Sequence, residues 1–231
     1  MKTIGLLGGM SWESTVTYYQ ILNTEIKNRL GGLHSAQILL YSVDFHDFEE
    51  RMATGDWDKN GAALADAARR LEGAGADFLL ICTNTMHKLY DTVQNSVAIP
   101  LLHIADVTAK ALRQDNITTI GLLGTRYTME QDFLRGRLAR CGLDVRVPDA
   151  ARRERINAII FDELCRGIIT KASKGFYLDV IDDLAQQGCG GVVLGCTEIG
   201  LLVEQKDTPV RLYDTTQVHA VSAARFALGE E

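Results

Sequence analysis

Two short polar segments carry the side chains of this sequence that are best suited to chemistry. Residues 82–87 (Cys-Thr-Asn-Thr-Met-His) and residues 195–198 (Gly-Cys-Thr-Glu) each follow a run of apolar residues. Aligning the two segments and their apolar runs without a gap places Thr83 opposite Cys196. Hydroxyls, an amide and backbone N–H groups at the start of a helix receive a carboxylate well, and a cysteine there has its thiolate favoured, with a pKa below the free value of about 8.5. We therefore predict a site for an amino-acid carboxylate beside a reactive Cys196.

A repeat in the chain indicates which elements position these segments. Residues 118–124 match residues 2–8 at six of seven positions, which indicates an internal duplication. In both halves short apolar runs alternate with helical stretches, a pattern typical of parallel sheets covered by helices. We predict an α/β fold of two duplicated Rossmann-like domains, each a roughly four-stranded, mainly parallel sheet flanked by helices, with a pseudo-twofold axis and a cleft between them. The domains are predicted at 1–114, completed by a C-terminal helix at 215–231, and at 115–214.

The duplication also predicts which side chains reach the ligand. Functional loops collect at the carboxyl ends of parallel strands, so the loops of Thr83 and Cys196 are expected to face each other across the cleft. Groups on opposite sides of a substrate suit removal of a proton from one face and delivery to the other. A shift of one residue at the end of a strand turns a side chain to the other face, so Cys82 is predicted to be buried.

Composition and charge exclude several classes of function. The chain of 231 residues has a formal net charge of −6, a pI near 5.4 and no run of Lys or Arg, which argues against nucleic acid or an anionic membrane as the partner. No apolar stretch approaches the roughly 20 residues that span a bilayer. The five cysteines include no C-x-x-C pair and the five histidines form no i, i+4 pair, so we expect free thiols in the cytoplasm and no metal site. A small-molecule partner is expected.

Three stretches together resemble the signature of the aspartate/glutamate racemase family: residues 8–10, 83–87 and 195–198. The resemblance implies an enzyme that needs neither pyridoxal phosphate nor a metal. In that family one cysteine in each domain exchanges the α-proton of an amino acid, each on its own face of the substrate. Cys196 matches the second of these cysteines, and Asn84 and Thr85 match the pair that binds the substrate carboxylate.

The sequence departs from the family at the first cysteine, which aligns with Thr83. In this respect it resembles the branch that is specific for L-aspartate and L-glutamate, where a threonine replaces that cysteine. A threonine hydroxyl is a far weaker base than a thiol near its pKa. We therefore expect an acidic amino-acid substrate and exchange rates that favour one enantiomer, while the equilibrium constant stays near one.

Further substrate contacts are predicted from their positions in the chain. Arg51 lies in the polar segment 44–52, interpreted as a loop after the second strand, and is the best-placed cation for a side-chain carboxylate. A solvated surface arginine is an equal alternative for it. The other predicted substrate contacts are Met10, Met52, Thr125 and Thr197.

Two other functions fit the same residues. An arylmalonate-type decarboxylase of the same superfamily also keeps only the second cysteine, and a non-catalytic protein that binds acidic amino acids needs no reactive cysteine. A homodimer is a further possibility, since dimers are common among symmetric enzymes. Core packing is the ordinary role of a free cysteine, and N-capping is an ordinary role of residues 83–85.

Overall fold

The computed structural model describes residues 1–230 and contains two parallel sheets. The first consists of β1 (Ile4–Gly8), β2 (Ile38–Ser42), β3 (Phe78–Ile81) and β4 (Leu101–Leu102), which pair in the order β2-β1-β3-β4. The second consists of β5 (Thr119–Gly124), β6 (Asp144–Arg146), β7 (Gly191–Gly195) and β8 (Leu212–Asp214), which pair in the order β6-β5-β7-β8. The predicted fold class, two four-stranded parallel α/β sheets, is confirmed.

Helices connect the strands in both halves. The first half contains α1 (Trp12–Leu30), α2 (Phe45–Thr54), α3 (Trp57–Gly73), α4 (Tyr90–Gln94) and α5 (Ile104–Gln114). The second contains α6 (Arg126–Glu130), α7 (Arg135–Arg140), α8 (Ala150–Asp162), α9 (Lys171–Gln186), α10 (Ile199–Leu202) and α11 (Thr215–Leu228). Short 3₁₀ turns lie at Thr85–Leu89, Leu164–Arg166 and Gln205–Asp207. Among the described residues, no helix is both long enough and apolar enough to span a bilayer.

The central strands explain why the apolar runs of the sequence are continuous rather than alternating. Every residue of β1, β3 and β7 is buried. Helices cover both faces of a parallel sheet, so successive side chains on either face meet a core. In the second sheet the two faces contribute to different apolar clusters, one around Leu194 and Ile181 and one around Val193 and Leu122. The strands thus hold the loops at their carboxyl ends on rigid supports.

The chain divides into two compact units, Met1–His103 with the C-terminal residues from His219 onward, and Ile104–Val218. The domain limits predicted from the sequence, 1–114 and 115–214, differ mainly in the placement of α5. Ile104 and Leu112 of this helix are fully buried in the same apolar cluster as Ile120 and Leu122 of β5. This packing groups α5 with the strand that follows it, although it is the last element of the first half in the sequence repeat.

A buried histidine ties α11 to the first sheet. The hydroxyl of Tyr18 in α1 lies 2.9 Å from Nδ1 of His219, and Nε2 of His219 lies 3.1 Å from the carbonyl oxygen of Leu102. A neutral ring with its proton on Nε2 satisfies both bonds, accepting from Tyr18 and donating to Leu102. Burial, with a smaller contribution from His87, lowers the pKa of His219 from 6.5 to about 3.

The lowered pKa of His219 predicts that the folded chain loses stability in mild acid. Between the folded pKa near 3 and the unfolded value near 6.5, the unfolded chain binds the extra proton, so stability falls as the pH falls through this window. Urea unfolding at pH 7 and pH 5 should show a smaller decrease for His219→Gln than for the unmodified chain, by roughly 2 kcal/mol. His34→Gln, at an exposed histidine, is the matched control and should leave the decrease unchanged. An equal decrease in all three proteins would contradict the prediction.

Candidate active site

The first two residues of the loop after β3, Cys82 and Thr83, differ in burial, as predicted from their offset of one residue. Cys82 is fully buried in the apolar cluster that also contains Leu80 and Ala220, and burial raises the pKa of its thiol above the ordinary range. The N–H of Cys82 donates to the carbonyl oxygen of Leu7 at 2.9 Å, which continues the pairing of β3 with β1. Thr83 is partly exposed. Between the two residues, only Thr83 has a side chain that a ligand can reach from solvent.

Asn84 and Thr85 begin a short turn that leads into α4. Thr85–Leu89 is a 3₁₀ turn, and Asn84 makes no capping hydrogen bond to it through its side chain. A turn of this length supplies no helix dipole, so the binding of a carboxylate by Asn84 and Thr85 stays a prediction that rests on their side chains. Both side chains are buried beside Thr83, where an amide and a hydroxyl can still bind a carboxylate.

His87 holds this turn through the backbone. Its Nδ1 lies 2.8 Å from the carbonyl oxygen of Thr83, so the ring donates a hydrogen bond across the loop. The ring also lies against His103, with a centroid distance of 4.7 Å. The bond uses the main chain of Thr83 and leaves its hydroxyl outside this interaction.

Arg51 and Met52 lie on a helix, which corrects the prediction of a loop over residues 44–52. Asp44 caps α2 by accepting a hydrogen bond from the N–H of His46 at 3.1 Å, and Gly55 ends it in the left-handed conformation. The side chain of Met52 is buried, as is that of Met10 between β1 and α1. The sequence suggested a loop because this segment is dominated by charged residues.

Arg51 is the partly exposed cation of this helix. Its guanidinium lies 3.5 Å from Asp47, one turn earlier, and about 31% of the side chain is exposed. An exposed pair at this distance contributes little free energy, so a ligand carboxylate can compete for the guanidinium. Its predicted contact with the substrate side chain remains a prediction.

The loop after β7 joins Cys196, Thr197 and Glu198 through one oxygen atom. The Cys196 thiol donates to Oε2 of Glu198 at 3.0 Å, and the Thr197 hydroxyl donates to the same oxygen at 2.7 Å. All three residues are buried, with exposed fractions of 7%, 6% and 4%. Glu198 lies in the segment identified from the sequence but was assigned no role there, although its position two residues after Cys196 was a usable signal.

The electrostatics of Cys196 are opposite to the expectation from sequence. Burial and the negative charge of Glu198 raise the pKa of the Cys196 thiol well above its ordinary value. The prediction of a favoured thiolate is therefore wrong for the structure described. The helix that follows, α10, has only four residues, so it supplies no dipole to offset the burial.

Thr125 caps a helix at the end of β5. Its hydroxyl oxygen accepts a hydrogen bond from the N–H of Thr128 at 3.3 Å and lies 3.2 Å from the Thr128 hydroxyl. This capping role accounts for the residue type, so contact with a ligand stays a prediction. Within residues 1–230, no group of three or more His, Cys, Asp or Glu side chains is arranged to hold a metal ion.

A family model described as Asp/Glu/Hydantoin racemase matches residues 7–223, which include both loops. The chain belongs to the Asp/Glu/hydantoin racemase family. This confirms the family resemblance found in the sequence. The alignment of Thr83 with the first cysteine of the family stays a prediction.

Solved structures and a curated relative agree with this membership. A candidate Asp/Glu racemase from Yersinia pestis is 53% identical, with a TM-score of 0.93 over 99% of this chain and 100% of that one. An aspartate racemase homologue from Pyrococcus horikoshii OT3 is 33% identical, with a TM-score of 0.85 over 99% of this chain and 100% of that one. The broad specificity amino-acid racemase RacX of Bacillus subtilis (strain 168) is 28% identical over 130 residues, or 55% of this chain. That alignment spans 56% of the length of the relative.

Proposed function

We propose that this racemase-family chain interconverts the L- and D-forms of aspartate or glutamate by exchange of the Cα proton, without a cofactor. The observation that carries the proposal is the segment of Cys196, Thr197 and Glu198, in which a buried thiol is hydrogen-bonded to a carboxylate at the end of a central strand. The likeness to a structure named as an aspartate racemase homologue supports an acidic amino acid as the substrate.

In this proposal the two loops divide the work of binding and proton transfer. Cys196 exchanges the Cα proton on one face, and Thr83 serves the other face. Asn84 and Thr85 bind the α-carboxylate, with Thr197 and Thr125 as further polar contacts. The side-chain carboxylate is assigned to Arg51, because its guanidinium is only weakly paired with Asp47. Met10 and Met52 supply apolar walls.

The two faces are chemically unequal. A hydroxyl has a much higher pKa than a thiol, so Thr83 is a poor base but can still transfer a proton. Removal of the Cα proton should therefore be faster from the enantiomer that presents this proton to Cys196. The equilibrium constant between the enantiomers stays near one, so the bias is confined to the rates.

Deuterium exchange tests this function directly. The purified chain is incubated separately with each enantiomer of aspartate and glutamate in D₂O, without pyridoxal phosphate and with a chelator. We expect deuterium at Cα and formation of the opposite enantiomer, with unequal rates from the two sides. Equal exchange from both enantiomers would contradict the kinetic bias. CO₂ release from a disubstituted malonate would favour a decarboxylase, and thermal stabilisation by the amino acid without exchange would favour a binding protein.

A further inference from the structure

Glu198 is a buried carboxylate next to the reactive loop. It lies at the start of α10, yet its side chain makes no capping hydrogen bond to that helix. Its exposed fraction is 4%, and the burial of a carboxylate is costly unless hydrogen bonds compensate. Oε2 accepts two hydrogen bonds, and both donors, Cys196 and Thr197, belong to the reactive loop. Two hydrogen bonds thus join the carboxylate to the loop that carries Cys196.

The position of Glu198 is unfavourable for a resting thiolate. A carboxylate at 3.0 Å from the sulfur repels a negative charge there, and the thiol accordingly donates its proton toward the carboxylate. The same geometry is favourable once the proton has moved, because a neutral carboxylic acid can donate back to the thiolate. The pair can therefore exist as thiol with carboxylate or as thiolate with carboxylic acid, without a change in total charge.

We propose that Glu198 accepts the thiol proton of Cys196 when an acidic amino acid is bound, and that it thereby generates the thiolate that removes the Cα proton. This inference rests on the proposed racemase function and names the group that activates its thiol. Glu198 acts through Cys196, so it is a positioning residue for the reaction. Thr197 holds the accepting oxygen in place through its hydroxyl.

The step is balanced in atoms and charge. The Sγ–H bond of Cys196 breaks as an Oε2–H bond of Glu198 forms, and the negative charge moves from oxygen to sulfur. The thiolate then takes the Cα proton, and the electron pair of the Cα–H bond passes to the substrate. In the reverse direction the thiol returns a proton to Cα, and Glu198 returns its proton to the sulfur. Deuterium reaches Cα when Glu198 releases its proton to solvent and the proton on the Cys196 sulfur then exchanges with solvent through Glu198 before it is returned.

The surroundings of the pair contain further ionisable groups that bear on its protonation. Cys165, in the turn after α8, interacts electrostatically with Cys196, and Asp214 on β8 interacts with Glu198. Tyr177 on α9 interacts with both Cys196 and Glu198, and also with Glu163 in the turn after α8. Burial raises the pKa of both Tyr177 and Asp214, and Glu198 adds to both shifts. These neighbours are acids that give no positive charge to favour a thiolate, and Glu198 is distinguished from them by its hydrogen bond with the Cys196 sulfur.

The substitution Glu198→Gln distinguishes a role of Glu198 as proton acceptor from a purely structural role. Glutamine keeps the size and a carbonyl oxygen that both donors can reach, but it cannot accept the proton. We expect kcat for deuterium exchange to fall by about 100-fold or more, with KM unchanged. In the absence of substrate, alkylation of Cys196 by iodoacetamide, followed by mass spectrometry of its peptide, should become faster at a given pH. Removing the neighbouring negative charge lowers the pKa of the thiol, and a shift of one unit makes alkylation about tenfold faster.

If Glu198 accepts the proton, Glu198→Gln slows deuterium exchange at Cα and speeds alkylation of Cys196. Glu198→Asp keeps a carboxylate and should recover part of the exchange that glutamine loses. Glu154→Gln, at an exposed carboxylate of α8 in the same unit, is the matched control and should leave exchange and alkylation unchanged. Full exchange in Glu198→Gln, or a joint fall of exchange and alkylation, would overturn the role of Glu198. Loss of the folded circular dichroism spectrum in both Glu198 variants would overturn it as well, because the carboxylate would then be structural.

The unmodified chain distinguishes this proposal from the function on which it rests. If the unmodified chain exchanges no Cα proton of any acidic amino acid, the racemase function fails and the role of Glu198 fails with it. If the unmodified chain is active and Glu198→Gln is equally active, the racemase function stands and the role of Glu198 alone is overturned.

Discussion

Cys196→Ser is expected to abolish Cα-proton exchange from both enantiomers, with a fall in kcat of about 10³-fold or more. Serine replaces one atom, and its hydroxyl can still donate to Oε2 of Glu198, so the loop should keep its shape. The serine hydroxyl, however, has a far higher pKa than a thiol and yields almost no base at neutral pH. Deuterium incorporation measured by mass spectrometry, with each enantiomer in turn, checks the loss. Residual exchange within tenfold of the unmodified rate would exclude Cys196 as the reacting group.

Cys82→Ser is the matched control for this experiment. Cys82 is fully buried in an apolar cluster, where a hydroxyl replaces a thiol without reaching the substrate. The substitution should cost about 1 to 3 kcal/mol of stability, because a buried hydroxyl needs a hydrogen-bond partner, while the folded protein keeps most of its activity. Inactivity of a folded Cys82→Ser protein would mean that the assignment of Thr83 to the reacting position is wrong.

The fold was predictable because its strongest signals are long-range and redundant. The apolar runs of β1, β3 and β7 are continuous, as buried parallel strands require, and the repeat of residues 2–8 at 118–124 ties the two sheets to one pattern. The edge strand β6 had no such signal. It has three residues, Asp144 to Arg146, two of them charged, and only the central Val145 is buried.

The details of the site depended on local effects that composition conceals. The charged segment that forms α2 was interpreted as a loop, because its cap at Asp44 and its two buried side chains, Phe48 and Met52, are few against many polar residues. The expected lowering of the Cys196 thiol pKa is wrong, because a sequence shows neither burial nor the length of the helix that follows. The proposed role of Glu198 required the structure, since its burial and the contact of its oxygen with two donors distinguish it from a surface glutamate.

Thr83→Ala is expected to separate exchange from inversion. Without the hydroxyl, no group on that face returns a proton to Cα, so conversion of one enantiomer into the other should fall by about 100-fold or more. Exchange on the face of Cys196 should continue, and the enantiomer that it serves should become deuterated with its configuration retained. The loop should stay in place, because His87 is bonded to the carbonyl oxygen of Thr83 and not to its side chain. Chiral chromatography coupled to mass spectrometry measures both quantities in one sample.

Thr83→Ser provides the control, since it keeps the hydroxyl and should keep inversion within about tenfold of the unmodified rate. Equal losses of exchange from both enantiomers in Thr83→Ala would mean that Thr83 binds the substrate rather than transfers a proton. Undiminished inversion would mean that another group serves that face. Retained configuration with continuing deuteration is the one outcome that requires Thr83 and Cys196 to act on different faces. That outcome also requires the proton on the Cys196 sulfur to exchange with solvent, and Glu198 provides the path for this exchange.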